Sequence, residues 1–120
     1  MHKHWPELAS SMSAPLKELR GGAPDVMKAF SAVAQAALQP KALDTKTKEL
    51  IALAISVALR CDACVAFHAQ AALQRGAKRE EVMEAVGMAI YMGAGPSVMY
   101  AAQAVEAFDQ FAAARSDAAA

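Results

Sequence analysis

No stretch of this 120-residue chain alternates polar and apolar side chains; instead, apolar residues return at spacings of three and four almost throughout. That period belongs to helices, so the class the chain can reach is all-α. Glycine, proline and cap residues cut the pattern into about six helices with short connections. The first runs from Pro6 to about Leu19, with a break near Pro15, and ends at Gly21-Gly22. Pro24 suits a first helical position, and Val26, Met27, Phe30, Val33 and Ala37 then form one face. Pro40 closes that helix, and Asp44 is a good N-cap for a third helix carrying Leu50, Leu53, Ala54 and Val57 inward. A break falls near Arg60 to Asp62, and a fourth helix extends to Arg75 with Gly76 as its left-handed cap. Lys78 or Arg79 opens a fifth helix through Val82, Val86, Ala89 and Ile90, which ends at Gly93 to Gly95. Pro96 starts the sixth, through Met99, Tyr100, Val105 and Phe108, and residues 112–120 are expected to fray. Residues 1–120 read as a single domain with a core over about 38–108, since no repeat and no linker interrupts them.

About a quarter of the residues are alanine, which enters helices without losing side-chain entropy and lets backbones approach closely. Alanine stripes bury little apolar surface, and a chain this small is expected to complete its core by forming a homo-oligomer. Basic and acidic residues balance at 12 each, and no basic face is evident, so nucleic acid is not an expected partner. The start, Met1-His2-Lys3-His4-Trp5-Pro6, has no apolar h-region of a secretory signal. From Ala85 to Val105 no residue is charged, but Gly93-Ala94-Gly95-Pro96 interrupts the run, which reads as two core helices and not as a membrane span. The expected location is the cytoplasm, where a close cysteine pair is catalytic or metal-binding more often than structural.

The chemistry is concentrated in Cys61-Asp62-Ala63-Cys64-Val65-Ala66-Phe67-His68. Helical spacing sets Cys61 beside Cys64 and puts His68 one turn beyond Cys64 on the same side. A helix starting near Cys61 would add the partial positive charge of its free amides, which lowers a thiol pKa and raises the fraction of nucleophilic thiolate. Three plainer or different readings compete. Two cysteines on an alanine-rich helix can simply be buried. Cys61, Cys64 and His68 are three candidate zinc ligands, but a closed site wants a fourth, and His2 and His4 are far away in sequence. Covalent haem needs histidine directly after the second cysteine, where Val65 stands. Tyr91, Met92 and Met99 read as core residues more readily than as the lining of an approach to the thiols. Trp5 has no constellation around it, and His2 and His4 sit on a terminus expected to be flexible.

Glu49, twelve residues before Cys61, completes a pattern with Cys61-x-x-Cys64 and His68 that resembles the alkylhydroperoxidase D-like branch of the carboxymuconolactone decarboxylase family. Lys48-Glu49-Leu50-Ile51-Ala52-Leu53-Ala54, Gly76-Ala77 and Gly95-Pro96 support the likeness, which covers roughly Leu38 to Phe108. The resemblance implies an alkylhydroperoxidase D-like helical fold assembled into trimers or hexamers. It also implies a thiol-dependent peroxidase or disulfide reductase that takes a hydroperoxide substrate and a dithiol, thioredoxin-like or lipoyl reductant; no metal or other cofactor is expected. Carried over residue by residue, Cys64 attacks the peroxide, Cys61 resolves it, and His68 and Glu49 relay the proton. Glu49 alone would read as an ordinary glutamate at the start of a helix. The better-known peroxidases of this branch have a histidine next to the second cysteine, where this chain has Ala63. Decarboxylase members generally lack the cysteine pair. Outside the resemblance, a regulatory disulfide without turnover and a zinc-bound structural oligomer remain rival readings.

Overall fold

The computed structural model describes residues 1–119 and contains six helices in chain order: α1 (Trp5–Ser11), α2 (Ser13–Gly22), α3 (Pro24–Leu38), α4 (Thr45–Leu59), α5 (Asp62–Gln74) and α6 (Arg79–Ala119). The expected first helix is two, because its break lies at Met12 and not near Pro15. The pyrrolidine ring clashes with the carbonyl four residues earlier and its nitrogen cannot donate, so Pro15 is accommodated near the start of α2, where amides have no intrahelical partner anyway. The break therefore moves upstream of it. Pro24 opens α3 as expected, and Asp44 caps α4 by accepting the Thr47 amide at 2.7 Å. Hydrogen bonding to Thr47 holds the Asp44 carboxyl below its ordinary pKa.

The expected fifth and sixth helices are halves of α6, joined at Ala94 (φ 54°, ψ −140°). Gly93 and Gly95 were the expected site of the turn, yet Ala94 between them takes the left-handed backbone. Gly93 leaves room for a neighbour instead: a Cβ there would overlap Ser97 Oγ, which is fully buried and has no hydrogen-bond partner among the described residues. A straight helix of 41 residues would be about 60 Å long at 1.5 Å per residue, whereas the molecule is 38 Å across at most. Arg79 near the start of α6 instead grips Asp109 near its end, at 2.9 and 3.1 Å, so the two halves lie side by side. The apolar run from Ala85 to Val105 is thus a bent pair of segments, but not the two buried helices expected: Val86, Ala89, Ala101 and Ala104 enter the core, while Met88, Tyr91, Met92, Val98 and Met99 stay exposed. By length and composition alone, α6 would be apolar enough to cross a membrane.

The core lies where α4, α5, the two halves of α6 and α1 meet. Leu53 and Val57 of α4 point into it as expected, facing Val65, Ala66, Ala69 and Ala72 of α5 and Val82, Ala104 and Ala107 of α6. Five of these α5 and α6 positions are alanines with no exposed surface, which is what lets three helices approach closely. The chain end does not fray at residue 112: α6 continues to Ala119, with Phe111 buried, Ala112 against the core and Arg115 Nη1 donating to Leu73 O at 3.4 Å. Strong helix propensity and that anchor explain the extension; Ala120 lies outside the described residues. Helices α2 and α3 contribute no buried residue, and Val26 (70% exposed), Phe30 and Val33 (64% each) present the predicted α3 face to solvent. Tyr91, Met92 and Met99 are likewise exposed and do not pack in the core.

The crowding at the α6 bend gives a stability test. Gly93→Ala should destabilise the fold by about 1–3 kcal/mol, the usual cost of forcing extra volume into a packed site. Ser97→Ala, which deletes the partnerless hydroxyl, should be near neutral and should recover part of that loss in the double variant. Urea denaturation of the four proteins measures both; an unchanged midpoint for Gly93→Ala would contradict the packing argument.

Candidate active site

Local chemistry sets the approach to the cysteines. Helix α4 ends at Arg60, whose backbone is left-handed (φ 55°, ψ 45°), and the Arg60 and Cys61 amides turn back to Val57 O at 3.2 Å and Ser56 O at 3.1 Å. This turn satisfies the last carbonyls of α4 and redirects the chain at once into α5. Cys61 is the N-cap of α5 and not a helical residue: its Sγ accepts the Cys64 amide at 3.2 Å. The two sulfurs form a disulfide, with Cα atoms 5.2 Å apart. The pair thus occupies the first turn of a 13-residue helix, where unpaired amides favour negative charge on sulfur once the bond is reduced.

Glu49 is the fifth residue of α4, beyond the first turn, and only 6% exposed. Across the α4–α5 interface His68 Nδ1 lies 2.9 Å from Glu49 Oε1. An ionised carboxylate can only accept, so this contact places the ring proton on Nδ1 and leaves Nε2 as the basic nitrogen. Helix α5 thereby begins at the disulfide and carries the Glu49-bound imidazole one turn beyond Cys64. Neither Glu49 nor His68 makes a hydrogen bond to either sulfur, so the structure brings Glu49 to His68 and Cys61 to Cys64 as two adjoining pairs. Among the described residues, no three His, Cys, Asp or Glu side chains converge as metal ligands.

Sequence reasoning missed the residues on the other side of the disulfide. Asp62, between the cysteines, binds Lys3 Nζ through Oδ2 at 2.6 Å, and the same ammonium donates to Gln103 Oε1 at 2.6 Å. The Lys3 bond is the main reason the Asp62 carboxyl sits below its ordinary pKa, and the Tyr100 hydroxyl adds to it. Tyr100 is correspondingly pushed up, first by its interaction with Asp62. Lys3 also stands over the Trp5 ring, 5.4 Å from its centre, and over the Tyr100 ring at 5.6 Å. The terminal residues are pinned in place. The amides of His2 and Lys3 donate to Glu106 at 2.6 and 3.0 Å, and Trp5 Nε1 donates to Glu106 at 2.8 Å. Fully buried Trp5 also donates its own amide to Gln110 at 2.7 Å. The terminus is therefore part of the packed structure, contrary to expectation, and Trp5 is its anchor. No local spacing could have revealed this, because Lys3 and Asp62 are 59 residues apart.

The carboxymuconolactone decarboxylase family profile matches residues 24–107, most of the chain. The chain belongs to this family. A family member from Legionella pneumophila, solved in its apo form, is 48% identical and superposes with a TM-score of 0.86, covering 89% of this chain and 96% of that one. A Thermotoga maritima family member, for which a part in an antioxidative response has been suggested, is 29% identical with a TM-score of 0.81 over 92% and 94% of the two chains. An uncharacterised protein of Cupriavidus necator is 45% identical over 86 residues, which are 72% of this chain and 76% of that protein. The all-helical fold is thus that of the carboxymuconolactone decarboxylase family.

The Glu49–His68 contact should register as an energetic coupling. In a cycle of Glu49→Gln, His68→Ala and the double variant, urea denaturation should give a coupling of about 0.5–1.5 kcal/mol, modest because solvent reaches the imidazole. Strict additivity would mean that the two side chains are neighbours without a working bond.

Proposed function

We propose that this protein is a thiol-dependent peroxidase and disulfide reductase of the alkylhydroperoxidase D-like branch, with Cys61 and Cys64 as its redox pair and an antioxidant role. The observation that carries the proposal is the disulfide in the first turn of α5 alongside a histidine oriented by a buried glutamate. The suggestion made for the Thermotoga relative points the same way. In the proposed cycle His68, oriented by Glu49, takes the proton of the Cys64 thiol. The thiolate attacks a hydroperoxide oxygen and breaks the O–O bond; Cys64 becomes a sulfenic acid, and the leaving alkoxide receives the proton and departs as an alcohol. Cys61 then attacks the Cys64 sulfur, forming the disulfide and releasing water. A dithiol, such as a thioredoxin-like or lipoyl partner of the cytoplasm, returns two electrons and two protons and restores the pair.

Peroxide consumption with excess dithiothreitol tests this cycle. The native protein should turn over, and Cys61→Ser and Cys64→Ser should each lose turnover. A native protein that forms and loses its disulfide without consuming peroxide would lose the peroxidase assignment and leave disulfide exchange or a redox-sensor role, the rival that the same disulfide best accommodates.

We further propose that the protein works as a homo-oligomer in which the α3 face of one copy covers an apolar groove on another. The groove, about 620 Å³, lies between α4 and the first half of α6 and is lined by Leu50, Ile51, Ala54, Ile55, Met88 and Met92. Along α4 it runs from Thr47 to Ala58, and the α3 stripe runs from Val26 to Ala37; each is about 16 Å long at the helical rise. Supporting the reading, neither α2 nor α3 buries a residue within its own chain. Light scattering should give a multiple of 12.6 kDa for the native protein and a smaller assembly for Phe30→Asp/Val33→Asp. A native mass of one chain would remove the proposal.

A further inference from the structure

The Lys3–Asp62 bond lies beside the redox pair and has no part in the cycle above. Asp62 is the first residue of α5, directly after Cys61, and at neutral pH its carboxylate disfavours a thiolate on either neighbour. Opposing it is one ammonium, delivered by the N-terminal segment, at 2.6 Å. Lys3 is not a free surface lysine: Gln103, Trp5 and Tyr100 hold it, and the backbone on either side is tied to Glu106 and Gln110. This degree of fixing exceeds what a solvent-exposed ion pair needs for stability, where such pairs contribute little.

We propose that Lys3 is a positioning residue for the redox pair: by neutralising Asp62, it sets how readily the Cys61–Cys64 disulfide is reduced. The inference rests on the thiol–disulfide reading of the site but not on peroxide being the oxidant. Reduction by a dithiol breaks the Cys61–Cys64 bond and forms a disulfide within the reductant. The reductant gives up two electrons and two protons; one proton stays on Cys64, the other is released, and Cys61 remains as thiolate. The charge that appears on Cys61 is the quantity that Lys3 and Asp62 act upon with opposite sign. Other charged or titratable groups near the pair and its Lys3–Asp62 bond are Arg60 on the preceding turn, Glu49 with His68 across the α4–α5 interface, Tyr100 against Asp62, and His2 and Glu106 beside Lys3. Arg60 turns its guanidinium back to Ala58 O at 3.1 Å, and Glu49 is engaged by His68. Lys3 is therefore the cation committed to Asp62.

Equilibration of the full-length protein with mixtures of reduced and oxidised dithiothreitol at pH 7, with alkylation of free thiols as readout, tests the proposal. Lys3→Met keeps the alkyl chain on the two rings but leaves Asp62 without its ammonium, with only the Tyr100 hydroxyl and the more distant His2 to offset it, so the reduced form should lose about three- to tenfold in the equilibrium constant. That corresponds to a potential about 15–30 mV more negative. Asp62→Asn should shift the equilibrium in the opposite direction, Lys3→Met/Asp62→Asn should return near the native value, and Lys3→Arg should stay close to native. The thiolate absorbance should follow, with the apparent thiol pKa rising in Lys3→Met and falling in Asp62→Asn. Shifts of the same sign in both single variants, or native values in both, would overturn the proposal, and circular dichroism separates a loss of folding from a change in potential. If the native disulfide does not exchange with dithiothreitol at all, the redox reading itself fails. If it exchanges but consumes no peroxide, only the peroxidase assignment fails and the tuning remains measurable.

Discussion

Everything distinctive about this molecule follows from how closely α5 lies against α4 and α6. The closeness comes from alanine. Ala66, Ala69 and Ala72 on α5 and Ala104 and Ala107 on α6 are buried without exposed surface, and Leu53, Val57, Val65 and Val82 fill the space between the backbones. Larger residues on that stripe would push the helices apart by the width of a side chain. At such a separation a glutamate on α4 could not reach a histidine on α5, and the 2.9 Å contact between Glu49 and His68 would be lost. The polar pair is held by apolar packing, and its chemistry depends on that packing.

The same alanines leave the core thin, which explains why so much apolar surface remains outside it. Phe30, Val33, Met88, Met92 and Tyr91 would be core residues in a chain with a larger interior. Here α2 and α3 lean away from the four-helix centre, joined to it by short polar bridges. Lys48 Nζ donates to the carbonyls of Ala37 and Gln39 at the end of α3, at 2.8 and 2.6 Å, and Thr45 Oγ1 donates to Leu38 O at 3.1 Å. Hydrogen bonds of this kind fix the position of a helix end without giving its apolar face a partner.

How much the sequence disclosed divides along the range of the interactions involved. Local signals were legible: Asp44 at its cap, Pro24 at a helix start, Gly76 with its positive φ of 89°, and the turn between Arg60 and Asp62. The phase of His68 relative to the cysteines was also local, being a matter of helical repeat. The orientation of α3 was not legible, because an apolar stripe looks the same whether its own chain or another molecule covers it. The break at Met12 reflects the reach of the Pro15 ring, a steric effect displaced from the residue that causes it. The positive φ at Ala94 went against propensity because the bend is dictated by the packing of the α6 halves, fastened by Arg79 and Asp109. The N-terminal anchor depends on pairs more than 100 residues apart, such as Trp5 with Glu106 and Gln110, for which no spacing rule exists.

The N-cap geometry also bears on how the two sulfurs divide the proposed chemistry. Position alone favours Cys61 as the more acidic thiol, since its Sγ accepts the Cys64 amide at 3.2 Å. The family resemblance gives the attack on peroxide to Cys64. The two statements conflict only if one sulfur must do everything. A stabilised thiolate is the better leaving group in disulfide exchange, so an incoming reductant that attacks Cys64 expels Cys61 with the help of that amide. After peroxide has oxidised Cys64, the same thiolate is ready to resolve the sulfenic acid. Cys64 then needs a base of its own, which is the place for a histidine one turn along the helix, with its tautomer fixed by a buried carboxylate. With Ala63 supplying no second imidazole, proton removal from Cys64 in the proposed cycle falls to His68 with Glu49 behind it. The rate of the first step should therefore depend more steeply on the Glu49–His68 contact here than in a relative with two histidines.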